Sequence, residues 1–313
     1  MSEFDILVLG DANPDLVLRG GDVAPAFGQA ERLVEEARLV VGGSGAIFAC
    51  GAARLGLRVA FAGVVGDDLF GAFIRGELEA RGVDTSAMST DLGRPTGITV
   101  VLARRDDRAM LTSMGTIGDL RRSLIESDLL RRARHIHVSS YFLQRALAPE
   151  LPTLFREART GGVTTSIDPN WDPSGLWDDG VLPLLSAVDV FLPNEMEALS
   201  IARISDIERA VARFLEGGVG TVAVKRAEHG SVGAKASEMV HVPAIPTDVV
   251  DSTGAGDSFN AGFLAGYLAG EPLRGCLELG NACGALSVLG VGGTAAQPTM
   301  AEALDAIERG SAA

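Results

Sequence analysis

An α/β fold, with a doubly wound and mostly parallel sheet flanked by helices, is predicted by three features of the sequence. Strand and helix patterns alternate over residues 119–224, as expected of parallel strands joined by crossover helices. Two β-only stretches interrupt the pattern early in the chain, and a Gly-rich turn leads into a long helix late in it. A TIM barrel is the structural competitor, but these interruptions do not fit eight even repeats.

Residues 6–9 form a continuous apolar run of the kind buried in a parallel sheet. The run ends in Gly10-Asp11-Ala12-Asn13-Pro14-Asp15, where open α/β sheets bind ligands. Asp15, with Asn13 beside it, therefore stands at a candidate ligand position, the competing reading being an Asx turn. Short β-prone pieces at 16–18 and 38–41 then flank a polar loop. Residues 44–55 read as a helix entered through Gly42-Gly43 and closed by Gly56, the glycines letting backbone amides approach a ligand. Residues 59–63 form a strand and 69–80 an amphipathic helix ended by Gly82. Residues 96–103 and 109–114, joined by the charged turn 104–108, carry a hairpin signature.

The alternating half supplies a helix within 119–132, strand 136–139, helix 149–159, strands 164–167 and 188–192, helices 195–202 and 207–215, and strand 221–224. Residues 231–236 and 239–242 form an antiparallel edge hairpin. The stretch Asp251-Ser252-Thr253-Gly254-Ala255-Gly256-Asp257 then follows the β-branched Val249 and Val250 and precedes apolar residues at helical spacing. Gly254, Ala255 and Gly256 therefore form a turn into a helix N-terminus, whose free N–H groups and dipole favour an anion. Asp257 faces that anion. A carboxylate beside a phosphate is electrostatically unfavourable unless it takes a proton from a nucleophile attacking the phosphate, which is kinase chemistry. The competing reading is a helix cap above a tight turn. Residues 276–289 make a second helix rich in small residues, suited to packing against the first, and Thr299 with Glu302 forms a capping box for the last helix.

Composition narrows the function. The 313 residues, 47% of them hydrophobic, suffice for a full core, and a formal charge of -14 argues against nucleic acid and anionic membranes as partners. Lys225 and Lys235 are the only lysines among 27 basic residues, no Gly-Lys dipeptide forms a P-loop, and no G-x-G-x-x-G is present. Cys50, Cys276 and Cys283 sit in apolar or small-residue segments and read as reduced core thiols. His135 and His137 alternate as in a strand, without zinc-ligand spacing. With no leader and no apolar run of membrane length, the expected location is the cytoplasm.

Residues 251–263 resemble the C-terminal signature D-T-x-G-A-G-D-x-F of the ribokinase-like (PfkB) carbohydrate kinases. Gly42-Gly43-Ser44-Gly45, Ala52-Ala53-Arg54-Leu55-Gly56 and Gly63-Val64-Val65-Gly66-Asp67-Asp68 resemble the N-terminal one, in the expected order. The resemblance covers nearly the whole chain. It implies one ribokinase-like domain over 1–313, with a small β-sheet lid from about 15–41 and 96–115 and a nucleotide-binding part at about 190–300. It also implies ATP-dependent phosphorylation of a hydroxymethyl group of a small neutral sugar, with Asp257 as base and Gly254, Ala255 and Gly256 as anion hole. Sugar contacts fall to Asp15, Asn13, Gly42, Gly43, Ser44, Asp168 and Asn170. ATP and Mg2+ fall to Asn194, Glu197, Lys225, Gly230 and Asn281, where Asn194 also reads as a helix cap and Lys225 equally as a surface charge. Asp251, Thr253 and Gly292 match a monovalent-cation (K+) site, and the lid offers a homodimer contact.

Two positions depart from the family pattern. Ile47 replaces an Asn that would bind the sugar, which disfavours ribose, and Asp172 replaces an Arg that would face an acidic sugar, which disfavours 2-keto-3-deoxygluconate. Tyr141-Phe142-Leu143-Gln144 reads either as a pocket wall or as core. The alternative enzyme is a nucleoside kinase, with Ile47 and Tyr141-Phe142 forming an apolar wall the size of a base. The alternative outside enzymes is a silent sugar-binding relative, which the intact Gly254–Asp257 turn disfavours.

Overall fold

The computed structural model describes residues 2–104 and 108–311, so the centre of the predicted charged turn, 105–107, lies outside the described residues. The chain opens with β1 (Phe4–Leu9), β2 (Asn13–Arg19), β3 (Glu36–Gly42), α1 (Ser44–Arg54), β4 (Val59–Ala62), β5 (Val64–Gly66), α2 (Leu69–Ala80), β6 (Ser89–Asp91), β7 (Ile98–Ala103) and β8 (Arg108–Ser113). There follow α3 (Leu129–Arg132), β9 (Ala133–Val138), α4 (Leu151–Thr160), β10 (Thr164–Ile167), α5 (Val181–Leu184), β11 (Val190–Phe191), α6 (Glu195–Ala202), α7 (Ile207–Glu216) and β12 (Thr221–Lys225). The antiparallel pair β13 (Ser231–Lys235) and β14 (Glu238–Val242) precedes α8 (Ala255–Ala269), α9 (Leu273–Ser287) and α10 (Met300–Ser311).

The main sheet runs β14-β13-β12-β11-β10-β9-β1-β4, parallel from β12 to β4, with β13 and β14 as the antiparallel edge. Strand periodicity divides the core in two. Leu7 and Leu9 of β1 face one apolar layer with Phe155, Phe191 and Phe214, whereas Ile6 and Val8 face another with Phe48, Phe61 and Phe263. Because both faces are covered, the strand reads as uninterrupted apolar sequence.

A separate four-stranded sheet, ordered β3-β2-β7-β8, is made by the two predicted β-only stretches. β2 pairs antiparallel with β3 and parallel with β7, which sets Asp15 between Val40 and Thr99. The parallel pair of β5 with β6 was not anticipated, since three residues are too few for a periodic signal.

Three predicted elements differ. Residues 119–132 hold one 3-10 turn and the four-residue α3, because Arg122 gives its N–H to Glu150 and its guanidinium to the Ile125 carbonyl and Ser127 hydroxyl, competing with helical bonding. The strand predicted at 188–192 shortens to Val190–Phe191. The helix predicted from 276 begins at Leu273, where Pro272 provides the entry. Among the described residues, no helix is long and apolar enough to cross a membrane.

Helices α8 and α9 meet through glycine. A Cβ on Gly262 would lie 2.6 Å from the Leu279 carbonyl oxygen and 2.8 Å from Cys283 Sγ, and one on Gly280 would lie 2.9 Å from the Phe259 ring. Gly262→Val is therefore expected to separate the helices and to destabilise the protein by about 1–3 kcal/mol, read as a lower urea midpoint. An unchanged midpoint would show that the contact is more compliant than this geometry implies.

Candidate active site

Chain geometry first fixes the start of α8. Gly254 is its N-terminal flanking residue, left-handed at φ 73°, and no side chain caps the helix. A Cβ there would approach Gly293 Cα and Ile47 Cγ2 at 2.8 Å each, so the turn rests on the 290–293 loop and on α1. Ile47 is thus spent on packing, and the wall role considered for it is not what it does here. The amide of Gln297 staples the same helices, donating to the Ile47 carbonyl at 2.9 Å and the Ser258 hydroxyl at 3.2 Å.

Asp257 stands in the first turn of α8, partly buried in the lining of a cleft of about 1560 Å3. The hydroxyl of Ser44, the first residue of α1, donates to it. Burial, and then the Asp168 carboxylate, push its pKa up to about 8, against the pull of Ser44 and Lys225.

Behind it lies a charge cluster. Lys225 ends β12 and gives its ammonium to Asp168 at 2.7 Å and to the Asn260 side-chain oxygen at 3.3 Å. Asn260 also donates to Asp168, whose other oxygen accepts the Asn170 N–H at 3.0 Å. Burial alone would lower the Lys225 pKa, but Asp168 and Glu197 outweigh it and hold it above the usual lysine value. A Cβ on Gly256 would come within 3.6 Å of the ammonium, so the charge lies against the anion turn. Of the two readings of Lys225, surface charge is excluded.

On the β2 side, Asp11 accepts the Ser44 and Gly45 N–H groups at 3.1 and 3.0 Å, taking two of the amides that open α1. Sequence reasoning passed over Asp11, although its place after β1 was a usable signal. Asn13 reaches Asp15 at 3.2 Å, and Asp15 is buried with its pKa pushed up to about 7 by desolvation and then by Asp11. Gly42 packs directly on the Asp15 carboxyl, leaving no space for a side chain, and Gly43 lies at φ 79° against Asn13 and Asp11.

Across the cleft, Asn194 and Glu197 form a capping box on α6: Asn194 N–H to Glu197 at 2.8 Å, Glu197 N–H to Asn194 at 2.9 Å. Burial pushes the Glu197 pKa up to about 7. Gly230 lets β13 turn tightly against Val242 at φ 78°, and Asn281 donates to the Pro243 carbonyl at 3.0 Å; both also line the cleft. Asp251 accepts the Thr253 N–H at 2.9 Å, its hydroxyl at 2.7 Å and the Gly292 N–H at 2.9 Å, below the turn. Arg108, the first residue of β8, crosses from the small sheet to the Thr253 hydroxyl at 2.7 Å.

The cleft therefore joins Ser44, Asp168 and Asn170 to Asn194, Glu197 and Lys225, and runs on past the 254–257 turn to Asn281. Asn13, Asp15, Gly42 and Gly43 lie within the β2–β3 junction beside it. Asp172 does not present its charge: Ser174 and Trp177 take both oxygens, so its bearing on acidic sugars falls away. Tyr141 and Phe142 are core residues, the first bonded to the Asp179 carbonyl at 2.6 Å and the second edge-on to Trp177. His135 and His137 are buried beside Ser166, both with pKa lowered to about 3 by desolvation. Among the described residues, no three His, Cys, Asp or Glu side chains are grouped to hold a metal ion.

A family model described as pfkB family carbohydrate kinase matches residues 3–300. The chain is 33% identical over 299 residues to an ATP-dependent ribose-1-phosphate kinase of Halopiger xanaduensis, covering 94% of this chain and 95% of that one. It is 35% identical over 315 residues to a fructokinase of Klebsiella pneumoniae, covering 94% and 96%. Among solved structures, an E. coli protein provisionally named ribokinase II, bound to ATP and Mg2+, superposes with a TM-score of 0.86. Its identity is 27%, over 98% of this chain and 99% of that one.

The raised Asp257 pKa has a stability consequence. Between the ordinary value of 3.8 and about 8 the folded state holds a proton that the unfolded state has released, so this contribution is full below 3.8 and is lost as pH rises through about 8. Asp257→Asn is expected to be more stable than the parent at pH 9 by about 1–3 kcal/mol, since cleft water tempers the desolvation, and to differ little at pH 4. Urea unfolding at both pH values checks this; a gain independent of pH would contradict it.

Proposed function

The chain belongs to the pfkB family of carbohydrate kinases, and we propose that it transfers the γ-phosphoryl group of ATP to the hydroxymethyl group of a small neutral sugar. The observation that carries this reading is the placement of Asp257. It lies just past an uncapped helix N-terminus, between a hydroxyl donor on α1 and a lysine ammonium on β12.

Asp257 accepts the proton of the sugar hydroxyl as that oxygen bonds to the γ-phosphorus and the bond to the ADP oxygen breaks. The products are a phosphosugar and ADP, with the proton on Asp257. The N–H groups of Ala255 and Gly256 and the Lys225 ammonium hold the charge on the transferred group. A pKa near 8 in the free site suits a base working near neutral pH. Asp15, with Asn13, and Ser44 are the sugar-side groups, while Gly230 and Asn281 border the nucleotide end of the cleft. Asn194 and Glu197 fit Mg2+ through bound water, because their atoms are already bonded to each other. Magnesium, when bound with ATP, neutralises phosphate charge.

The carboxyls of Asp11, Asp15 and Asp257 gather at the sugar end, where they are suited to hydrogen-bond the hydroxyls of a neutral sugar. Residues about 15–41 and 96–115 act as the lid, tied by Arg108 to the turn it covers, and closure keeps water from the phosphate. On its outer strand Met110 and Leu111 are exposed and offer a surface for a second copy. The Asp251 clamp on Thr253 and Gly292 brings two loops together where backbone oxygens could surround K+.

ADP release is expected with Mg-ATP and one neutral sugar from a panel that also holds acidic sugars and nucleosides. Asp257→Asn is expected to lower that turnover by about 10²- to 10⁴-fold. Near-normal turnover in a folded Asp257→Asn protein would remove the base assignment, and release with nucleosides alone would replace the substrate class. Replacing Na+ by K+ is expected to raise the rate; equal rates would remove the cation proposal.

A further inference from the structure

We propose that Asn260 is a positioning residue that holds the Lys225 ammonium in one place over the α8 turn. The inference rests on the kinase reading of this site.

Asn260 lies three residues beyond Asp257, on the same face of α8, and is fully buried. Its amide has one arrangement that serves both neighbours: nitrogen to the Asp168 carboxylate, oxygen from the Lys225 ammonium. Those two partners come from the ends of β10 and β12, so a single side chain on the helix fixes the angle between sheet and helix at the charge. Lysine needs such support. Its ammonium is a point charge on a flexible stem, with three donors that turn freely about the last bond. Asp168 and Asn260 take two of them, which aims the third, and the open flank of Gly256 lies 3.6 Å away at the place a Cβ would occupy.

The position of this ammonium also tunes the base. Asp257 is faced by Ser44 from α1, by Asp168 after β10, by Lys225 from β12 and by Asp11 after β1. Lys225 itself also feels Glu197 from α6, and its charge acts on His137 of β9, which is neutral. Lys225 is the positive member of the set around Asp257 and offsets Asp168. If it swings away, Asp168 acts on Asp257 with less compensation, and the base becomes harder to ionise.

Asn260→Leu is expected to lower kcat by about 10- to 100-fold with the sugar KM within about two-fold. The acid limb of the kcat–pH profile should move to higher pH. On a Lys225→Met background the same substitution should change kcat by less than about three-fold, because the group it positions is gone. A residue that merely fills space would give equal losses on both backgrounds and leave the pH profile in place, and that result overturns the inference, as does an unchanged kcat. Asn260→Ser, smaller and polar, repeats the cycle if the leucine disturbs folding as judged by thermal unfolding. If the parent protein phosphorylates no sugar, the kinase reading fails by itself. The cycle is then read from Mg-ATP affinity by calorimetry, where non-additive weakening supports the positioning role and additive or absent weakening rejects it.

Discussion

Carboxyl groups withdrawn from water at the ends of parallel strands constrain everything else in this structure. Asp11, Asp15, Asp168 and Asp257 converge where β1 and β10 end and β2 and α8 begin, and a buried charge is tolerated only with donors around it. Their surroundings answer this in different ways. Asp168 takes Lys225 and Asn260, Asp11 takes the opening amides of α1 while burial still raises its pKa, and Asp15 and Asp257 likewise hold their protons more tightly. The last two are left with capacity for chemistry or for ligand hydroxyls.

Support for these groups comes from backbone shape as much as from side chains. Gly42 yields its side-chain volume to Asp15, and Gly254 adopts a left-handed conformation between Gly293 and Ile47. Arg108 joins the small sheet to the base of the turn, so the position of that sheet and the order of the 251–257 turn are mechanically linked.

Much of this was legible in the sequence, and for a common reason. The 251–257 turn, the two hairpins and the apolar parallel strands are local patterns, in which period and turn residues carry the information. Asn260 escaped notice because its partners, Asp168 and Lys225, are 92 and 35 residues away. Lys225 stayed open between two readings for the same reason. Asp172 misled because its identity suggested a charge facing substrate, whereas the turn over residues 172–177 consumes both oxygens. The segment 119–132 misled because an arginine side chain competed for backbone carbonyls, which helical periodicity does not register.

The Gln297 staple bears on how such an enzyme can change. It binds α1 and α8 at Ile47 and Ser258, one turn or less from Ser44 and Asp257, so Ser44 and the proposed base ride on one stiff body. The small sheet is built from other segments of the chain and touches that body at its rim. On the kinase reading, substitutions in β7, and in β8 beyond Arg108, would therefore reshape what is admitted while leaving α1 and α8 in place. Substrate range and chemical competence can drift independently, and a lineage can explore new acceptors while turnover is retained.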